Sequence, residues 1–175
     1  MRVPKVTYSV AIYGLSCTGK TSLAARLASL TGLRVRHCGK LVVERAQGFG
    51  LASGDELSAE QHRAIDTATQ QLVSKDPPMI VEGRFLDQVL GGFGRVLFVR
   101  LTCDFPIREK RLDALVGRAF GDSIERRDDT DAKFRSTQYH ASKDKVLEPM
   151  IVVDTSARSV EVCAEAIAQH LVTLS

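Results

Sequence analysis

An octapeptide near the start of the chain has the residue types and spacing of a phosphate-binding loop. Residues 14–21 read GLSCTGKT and fit the P-loop pattern G-x-x-x-x-G-K-T. Backbone N–H groups of such a loop curl round a polyphosphate, while Lys20 reaches the β and γ phosphates and the Thr21 hydroxyl can ligate Mg²⁺. We therefore predict that the loop binds a nucleoside triphosphate with Mg²⁺. The predicted binding residues are Gly14, Leu15, Ser16, Cys17, Thr18, Gly19, Lys20, Thr21 and Ser22.

The segments on either side of the octapeptide have the order that a P-loop requires. Residues 6–13 form a strand-like apolar run, and the segment after the loop places Leu23, Leu27 and Leu30 on one helical face. Gly32 is well placed to end this helix. Because the helix follows the loop directly, the positive end of its dipole points at the bound anion.

Length and composition predict a single domain over residues 1–175. The chain has 175 residues, 44% of them hydrophobic, which is enough for one core and too few for two ordinary domains. Its 24 basic and 21 acidic residues are interspersed, so neither a nucleic-acid polymer nor a membrane surface is an expected partner. No stretch is long enough to span a membrane, and the first apolar run leads into the P-loop like a core strand rather than a signal peptide.

The four cysteines lie far apart in the sequence without a C-x-x-C pair. This spacing argues against a zinc ribbon or a dithiol redox motif, and a reduced, cytoplasmic setting fits it best. The sequence leaves the oligomeric state open.

Short apolar runs alternate with helical patterns along the chain. The predicted strands are residues 6–13, 33–38, 79–81, 95–101 and 151–153. A capping box at Ser58 and Gln61 begins one of the helices, whose predicted apolar face carries Ile65, Ala68 and Leu72. The β-α-β-α order predicts an α/β fold with three α/β/α layers and a mostly parallel five-stranded sheet.

A polar segment between residues 112 and 150 mixes basic and acidic side chains. One interpretation is a solvated helical hairpin with i,i+4 pairs such as Arg127 with Asp131. The other is a lid over residues 118–145. Phosphoryl transfer spreads negative charge over the migrating group, so a kinase needs arginines beyond Lys20. The predicted catalytic residues are Lys20, Arg126, Arg127 and Arg135.

A helix after the fourth strand carries three more arginines on one side. Arg108, Arg111 and Arg118 lie at i, i+3 and i+10. We predict Arg111 and Arg118 to be hinge or phosphate-contacting residues, with Arg118 at the nucleotide, and the alternative for both is a plain surface charge. The residues predicted to be buried on the opposite side are Phe105, Leu112 and Val116.

The sequence V-E-G-R at residues 81–84 closes the third predicted strand. Ligands of an α/β sheet bind at the carboxyl ends of its strands. Glu82 can therefore hold a water on Mg²⁺ or orient the attacking hydroxyl, and Arg84 can grip a phosphate bidentately. The alternative is a strand-end salt bridge. Asp104 is a rival metal ligand, but its position before Pro106 is more typical of a helix N-cap.

Taken in order, these motifs carry a family resemblance over nearly the whole chain. They are GLSCTGKTSLA, Cys38-Gly39, VEGR, Arg108-x-x-Arg111, a basic lid ending near Tyr139, and Val153-Asp154-Thr155-Ser156. This order resembles the short, single-domain cytidylate-kinase-like branch of the nucleoside monophosphate kinases. The resemblance implies a P-loop kinase fold and ATP-dependent phosphorylation of a CMP- or UMP-type acceptor.

The resemblance also implies roles for individual residues. Lys20 would bind the donor, Arg84 the acceptor phosphate, and arginines between residues 118 and 135 would close over both. Residues 39–75, including Gly39, would form a helical acceptor-binding insert.

The chain departs from the family at one position. The family usually has an arginine four residues after the glycine that corresponds to Gly39, and this chain has Val43 there. A nucleoside or another small molecule with a hydroxyl group therefore stays open as the acceptor. A nucleotide-dependent switch is a third hypothesis, although the chain contains no asparagine and hence no N-K-x-D motif for guanine, and no D-x-x-G.

Overall fold

Five parallel strands form one sheet in the part of the chain that the computed structural model describes, residues 6–51, 54, 57–75, 78–116, 123–141 and 145–174. The strands are β1 (Ser9–Tyr13), β2 (Val35–His37), β3 (Ile80–Glu82), β4 (Val96–Thr102) and β5 (Met150–Asp154), in the order β2-β3-β1-β4-β5. The helices are α1 (Lys20–Thr31), α2 (Cys38–Gly48), α3 (Ala59–Lys75), α4 (Leu86–Val89), α5 (Phe105–Val116), α6 (Ile124–Tyr139) and α7 (Val160–Leu174). The predicted α/β fold is confirmed.

The central strand β1 is buried on both faces, which makes it the middle of a three-layer structure. Val10 and Ile12 pack into one core with residues of α1 and α7, whereas Ala11 and Tyr13 pack into a second core with residues of α4. Successive side chains of a strand point to opposite faces of its sheet, so a continuous apolar run fills both cores.

Helices α2 and α3 share a small core of their own, formed by Ala46, Leu57 and Ile65. The predicted capping box at the start of α3 is confirmed. The Ser58 N–H donates to Gln61 Oε1 at 2.7 Å, and the Gln61 N–H donates to Ser58 Oγ at 3.2 Å. This core keeps α2 and α3 together beside the carboxyl ends of β2 and β3.

Three residues expected on apolar helix faces are exposed, and two predicted strands are longer than the observed ones. Leu30, Ala68 and Phe105 are exposed, and Thr69 takes the buried position that Ala68 was expected to hold. The second strand covers Val35–His37 only, because Cys38 already begins α2. The first strand likewise begins at Ser9 rather than at residue 6.

The parallel arrangement brings the carboxyl ends of all five strands to one edge of the sheet. His37 and Glu82 are paired in the register of β2 and β3, and Ile12 near the end of β1 is paired with Glu82. The P-loop therefore begins beside the end of β3. No helix in the described part of the chain is long and apolar enough to cross a membrane.

Candidate active site

The P-loop folds tightly against the end of strand β4. Gly14 has a φ of 139°, and a Cβ atom there would lie 2.4 Å from the carbonyl oxygen of Leu101. Any larger residue would therefore push the loop away from β4. Gly19 also has a positive φ, 91°, and is the N-cap of α1. The two glycines of the motif thus set the path of the loop backbone.

The side chain of Lys20 folds back over the P-loop. Its Nζ donates to the carbonyl oxygens of Gly14 at 2.8 Å and Leu15 at 2.6 Å. Burial lowers the pKa of Lys20 to about 8, and nearby Glu82 opposes this shift. Thr21 and Ser22 are exposed in the first turn of α1, where the Thr21 hydroxyl is open to a metal ion.

Two arginines of α5 donate hydrogen bonds to the backbone of the P-loop. The Nε of Arg108 donates to the carbonyl oxygen of Ser16 at 2.8 Å, and Nη1 of Arg111 donates to that of Cys17 at 3.3 Å. Nη2 of Arg111 also donates to the carbonyl oxygen of Thr155, at 2.8 Å. Arg108 is buried and so is not a plain surface charge. Both side chains contact loop backbone.

Thr155 links the P-loop to the end of the sheet. Its hydroxyl donates to the carbonyl oxygen of Thr18 at 2.9 Å and lies 3.2 Å from that of Thr102. Thr155 directly follows β5 at the ligand-binding edge of the sheet, which is the signal that marks it in the sequence.

Helix α6, which covers most of the predicted lid, is attached to the rest of the molecule by three ion pairs. Asp128 accepts both terminal nitrogens of Arg108, at 2.9 and 2.5 Å, and Asp131 accepts Nη1 of Arg84 at 2.5 Å. In the third pair, Nη1 of Arg135 donates to Asp87 Oδ2 at 2.8 Å, and both side chains are buried.

The structure places the predicted lid arginines in different surroundings. Arg126 is exposed and Arg127 half-buried near the start of α6, which Ser123 caps by accepting the Arg126 N–H at 3.2 Å. Arg135 lies against Asp87, and its guanidinium carbon is 5.2 Å from the centroid of the Phe85 ring. Arg118 and the other residues at 117–122 lie outside the described residues, as do residues 142–144 of the predicted lid.

The i,i+4 spacing predicts a pair of Asp131 with Arg127, whereas the partner of Asp131 in the structure is Arg84. No role was predicted for Asp87 or Asp128 from the sequence, although a signal for Asp128 was present. Asp128, Asp131 and Arg135 are spaced i, i+3 and i+7 and therefore share one face of α6. That face looks toward the P-loop and the end of β3. Asp87 had no comparable signal, because it lies on the four-residue helix α4, too short for a periodic pattern.

At the end of β3, Glu82 and Arg84 point to different partners. Glu82 is buried, and its Oε1 lies 2.9 Å from Nδ1 of His37. Arg84 is half-exposed and paired with Asp131. Asp131 is only 2% exposed, and its Oδ2 has no hydrogen-bond partner among the described residues. Burial raises the pKa of Asp131, opposed by Arg84 and Lys20.

A cavity of about 140 Å³, here named the α3 cavity, lies beside these residues between α2, α3, α6 and the end of β3. Its charged lining consists of Lys20, Asp66, Glu82, Arg84 and Asp131, and its aromatic lining of His62, Phe85, Phe134 and Tyr139. Gly39 and Val42 also line it. Tyr139 donates its hydroxyl to Asp66 Oδ2 at 3.0 Å, and burial raises the pKa of both groups.

The position of the family arginine lies outside this cavity. Val43 is half-exposed, and neither it nor Arg45 is among the described residues that line the α3 cavity. We therefore expect an arginine at position 43 to lie at the surface, away from the lining of this cavity.

Two further clefts flank the P-loop. The α7 cleft, about 430 Å³, lies between the start of α1, α5 and the start of α7, and its lining includes Cys17, Arg111, Leu115, Thr155 and Arg158. The α6 cleft, about 410 Å³, runs between the P-loop, the end of β4 and α6. Arg84, Phe85 and Asp131 line both the α6 cleft and the α3 cavity. Asp131 thus borders two spaces that meet near the P-loop.

The donor atoms at the P-loop suit Mg²⁺ bound together with phosphates. Thr21 offers a hydroxyl and Glu82 a carboxylate, and Mg²⁺ is usually bound by one or two such oxygen groups plus substrate phosphates and water. No cluster of three or more His, Cys, Asp or Glu residues that could hold a metal by itself occurs in the described part of the chain.

Several solved structures with the same fold are named as kinases. A gluconokinase from Sinorhizobium meliloti 1021 is 18% identical over 99% of this chain and 95% of that chain, with a TM-score of 0.64. A shikimate kinase from Acinetobacter baumannii in complex with shikimate is 15% identical over 98% of this chain and 96% of that chain, with a TM-score of 0.65. A sugar kinase from Janibacter sp. HTCC2649 is 19% identical over 93% of each chain, with a TM-score of 0.62.

The sequence matches no protein-family model and no curated protein sequence. At identities of 15 to 19%, the similar structures establish the fold alone, which this chain shares with these three kinases. The cytidylate-kinase-like branch is not confirmed by these comparisons.

Proposed function

We propose that this protein is an ATP-dependent kinase that phosphorylates a hydroxyl group of a small molecule lacking a phosphate of its own. The acceptor would bind in the α3 cavity, and the nucleoside of ATP in the α7 cleft, with its phosphates on the P-loop between them. The observation that carries this proposal is the pairing of Arg84 with Asp131, which neutralises the arginine expected to bind an acceptor phosphate.

The charges around the α3 cavity argue against a phosphorylated acceptor. Asp66, Glu82 and Asp131 supply three carboxylates, against the two cations Lys20 and Arg84. Lys20 is needed for the donor phosphates. A dianionic acceptor would therefore meet more negative than positive charge.

The size of the cavity supports the same conclusion. Its volume of about 140 Å³ is close to that of an engineered protein cavity that accepts benzene, about 150 Å³. A sugar-sized or smaller molecule is a better match than a nucleoside monophosphate. The similar structures named as a gluconokinase, a sugar kinase and a shikimate kinase are consistent with such an acceptor.

The donor half would work as the sequence predicts. Backbone N–H groups of residues 14–22 would hold the phosphates, and the Lys20 ammonium would move from the carbonyls of Gly14 and Leu15 to the phosphate oxygens. Thr21 and Glu82 would hold Mg²⁺, which when bound neutralises phosphate charge. Arg118, Arg126 and Arg127 stay candidates for contacts with the phosphates.

Asp131 is the group best placed to take the proton from the acceptor hydroxyl. Its Oδ2 has no hydrogen-bond partner among the described residues, and the residue lines both the α3 cavity and the α6 cleft. As the acceptor oxygen bonds to the γ phosphorus, the bond to the β-γ bridging oxygen breaks, ADP leaves, and the hydroxyl proton passes to Asp131.

The proposal is tested by ADP formation with Mg²⁺-ATP and a panel of acceptors. The panel contains CMP, UMP and other monophosphates beside nucleosides, sugars, hydroxy acids and amino alcohols, and Lys20→Ala is the control. Phosphorylation of an acceptor without phosphate, with the monophosphates inert, is the expected result. No ADP above the control with any acceptor would contradict kinase activity and favour the switch hypothesis.

The competing proposal is the monophosphate kinase that the sequence resemblance implies. It has one structural observation in its favour, because Arg84 lines the α3 cavity and its side chain is half-exposed. In that case Arg84 must leave Asp131 to bind the acceptor phosphate. A higher kcat/KM for CMP or UMP than for every unphosphorylated acceptor would establish it.

A further inference from the structure

We infer that the acceptor carries a cationic amine, which Asp66 and the aromatic wall of the α3 cavity bind while its hydroxyl lies at Asp131. The inference rests on the proposed kinase function and specifies the chemical class of the acceptor: a small amino alcohol.

Asp66 is a half-buried carboxylate whose hydrogen-bond partner is neutral. The Tyr139 hydroxyl donates to its Oδ2 at 3.0 Å, and Asp66 lines the α3 cavity. Burial without a cation raises the pKa of Asp66, since the charged form is disfavoured there. A ligand ammonium would form a charge-assisted hydrogen bond and offset this desolvation.

Asp66 shares the lining of the α3 cavity with aromatic side chains, one of which already lies next to a cation. Phe85 stacks on Phe134 with ring centroids 5.1 Å apart, and Phe134 meets Tyr139 edge to face at 5.9 Å. The guanidinium carbon of Arg84 lies 5.6 Å from the centroid of the Phe85 ring. Aromatic faces attract cations at such distances, and the attraction grows when water is excluded.

A second, independent carboxylate in the same cavity has one oxygen without a hydrogen-bond partner. Asp131 is 2% exposed, and its Oδ2 has no hydrogen-bond partner in the described part of the chain. A buried carboxylate oxygen of this kind calls for a donor. A hydroxyl group supplies one.

Two separate carboxylates in one cavity favour an acceptor with two different polar ends. Asp66, held by Tyr139 near the end of α6, and Asp131, about two turns earlier on that helix, both line the α3 cavity. A neutral polyol could satisfy Asp131 but would leave the charge of Asp66 uncompensated. A molecule with a hydroxyl at one end and an ammonium at the other satisfies both.

The experiment compares two acceptors of the same ring size, one with an ammonium and the other with a methyl group in its place. 4-Aminocyclohexanol and 4-methylcyclohexanol are similar in size, and kcat/KM is measured for each with Mg²⁺-ATP. We expect the amine to be preferred by about ten- to a hundredfold, the range for a hydrogen bond between charged groups. Asp66→Asn should remove this preference by raising KM for the amine, whereas Asp129→Asn, the same change at an exposed position of α6, should keep it.

Phe134→Leu provides a second variant that keeps the charge of the cavity. It should raise KM for the amine by about two- to thirtyfold by removing one aromatic face, and leave KM for the neutral alcohol nearly unchanged. Equal use of both alcohols, or a preference that survives in both Asp66→Asn and Phe134→Leu, would overturn the inference and leave the kinase intact. Inactivity with every acceptor would overturn the kinase itself.

Discussion

The two halves of the site are built by different means. In the P-loop half, Arg108 and Arg111 donate to backbone carbonyls of the loop, and glycines set its path. In the half formed by β3, α3 and α6, Arg84 and Arg135 pair with carboxylates, and charged and aromatic residues line the α3 cavity. Backbone geometry suits a donor common to many enzymes, whereas exchangeable side chains suit an acceptor that differs from one enzyme to another.

Asp131→Asn should affect the two halves of the site most differently. If Asp131 accepts the hydroxyl proton, kcat should fall by about 10²- to 10⁴-fold, the usual contribution of a general base, while the Kd for ATP stays nearly constant. Rapid-quench turnover and ATP titration measure the two quantities.

Asp131→Asn has two further readouts, which are the pH dependence of kcat and the activity toward CMP. The wild-type acid limb of kcat should lie above the ordinary aspartate pKa, because burial raises the pKa of Asp131, and it should disappear in the variant. A gain of activity toward CMP would instead show that Arg84, once released, binds an acceptor phosphate.

Arg135→Ala tests whether this arginine anchors α6 or acts on the transferring group. Its partner Asp87 is fully buried, so the variant leaves an uncompensated carboxylate in the core and should lose about 3–5 kcal/mol of unfolding free energy. Urea denaturation measures this loss. If Arg135 is an anchor, the double variant Asp87→Asn/Arg135→Gln should recover part of the lost unfolding free energy, and kcat per folded molecule should change little. A large fall in kcat without a loss of stability would make Arg135 catalytic.

The ATP affinity should depend on pH through Lys20. Its pKa is lowered to about 8, so above pH 8 the free protein loses the ammonium that binding requires. The association constant for ATP should then fall, approaching tenfold per pH unit, and binding should take up a proton. Calorimetry in buffers of different ionisation enthalpy detects that proton. Lys20→Met should bind weakly at every pH, and an unchanged pH dependence in this variant would assign the titration to another group.

The difference between the two halves of the site also explains how much of the molecule could be predicted from the sequence. The sheet, the P-loop and the α3 capping box follow from local spacing, because each depends on residues close together in the chain. The α3 cavity joins Gly39, Asp66, Glu82 and Asp131, which only the tertiary fold brings together. The pairing of Arg84 with Asp131 also changes the meaning of the VEGR motif, since the same arginine can grip a phosphate or neutralise a carboxylate.

Val43→Arg should have the smallest effect of all. The substitution restores the residue that monophosphate kinases of this type carry, but Val43 is 50% exposed and lies outside the described lining of the α3 cavity. An arginine there would extend into solvent, so KM for any acceptor should change by less than about twofold, within the small effects of exposed substitutions. Val42→Arg, one residue earlier and on the cavity wall, should instead block acceptor binding. New CMP activity in Val43→Arg would mean that α2 turns this position toward the acceptor during turnover, and that the acceptor half is a monophosphate site lacking one cation.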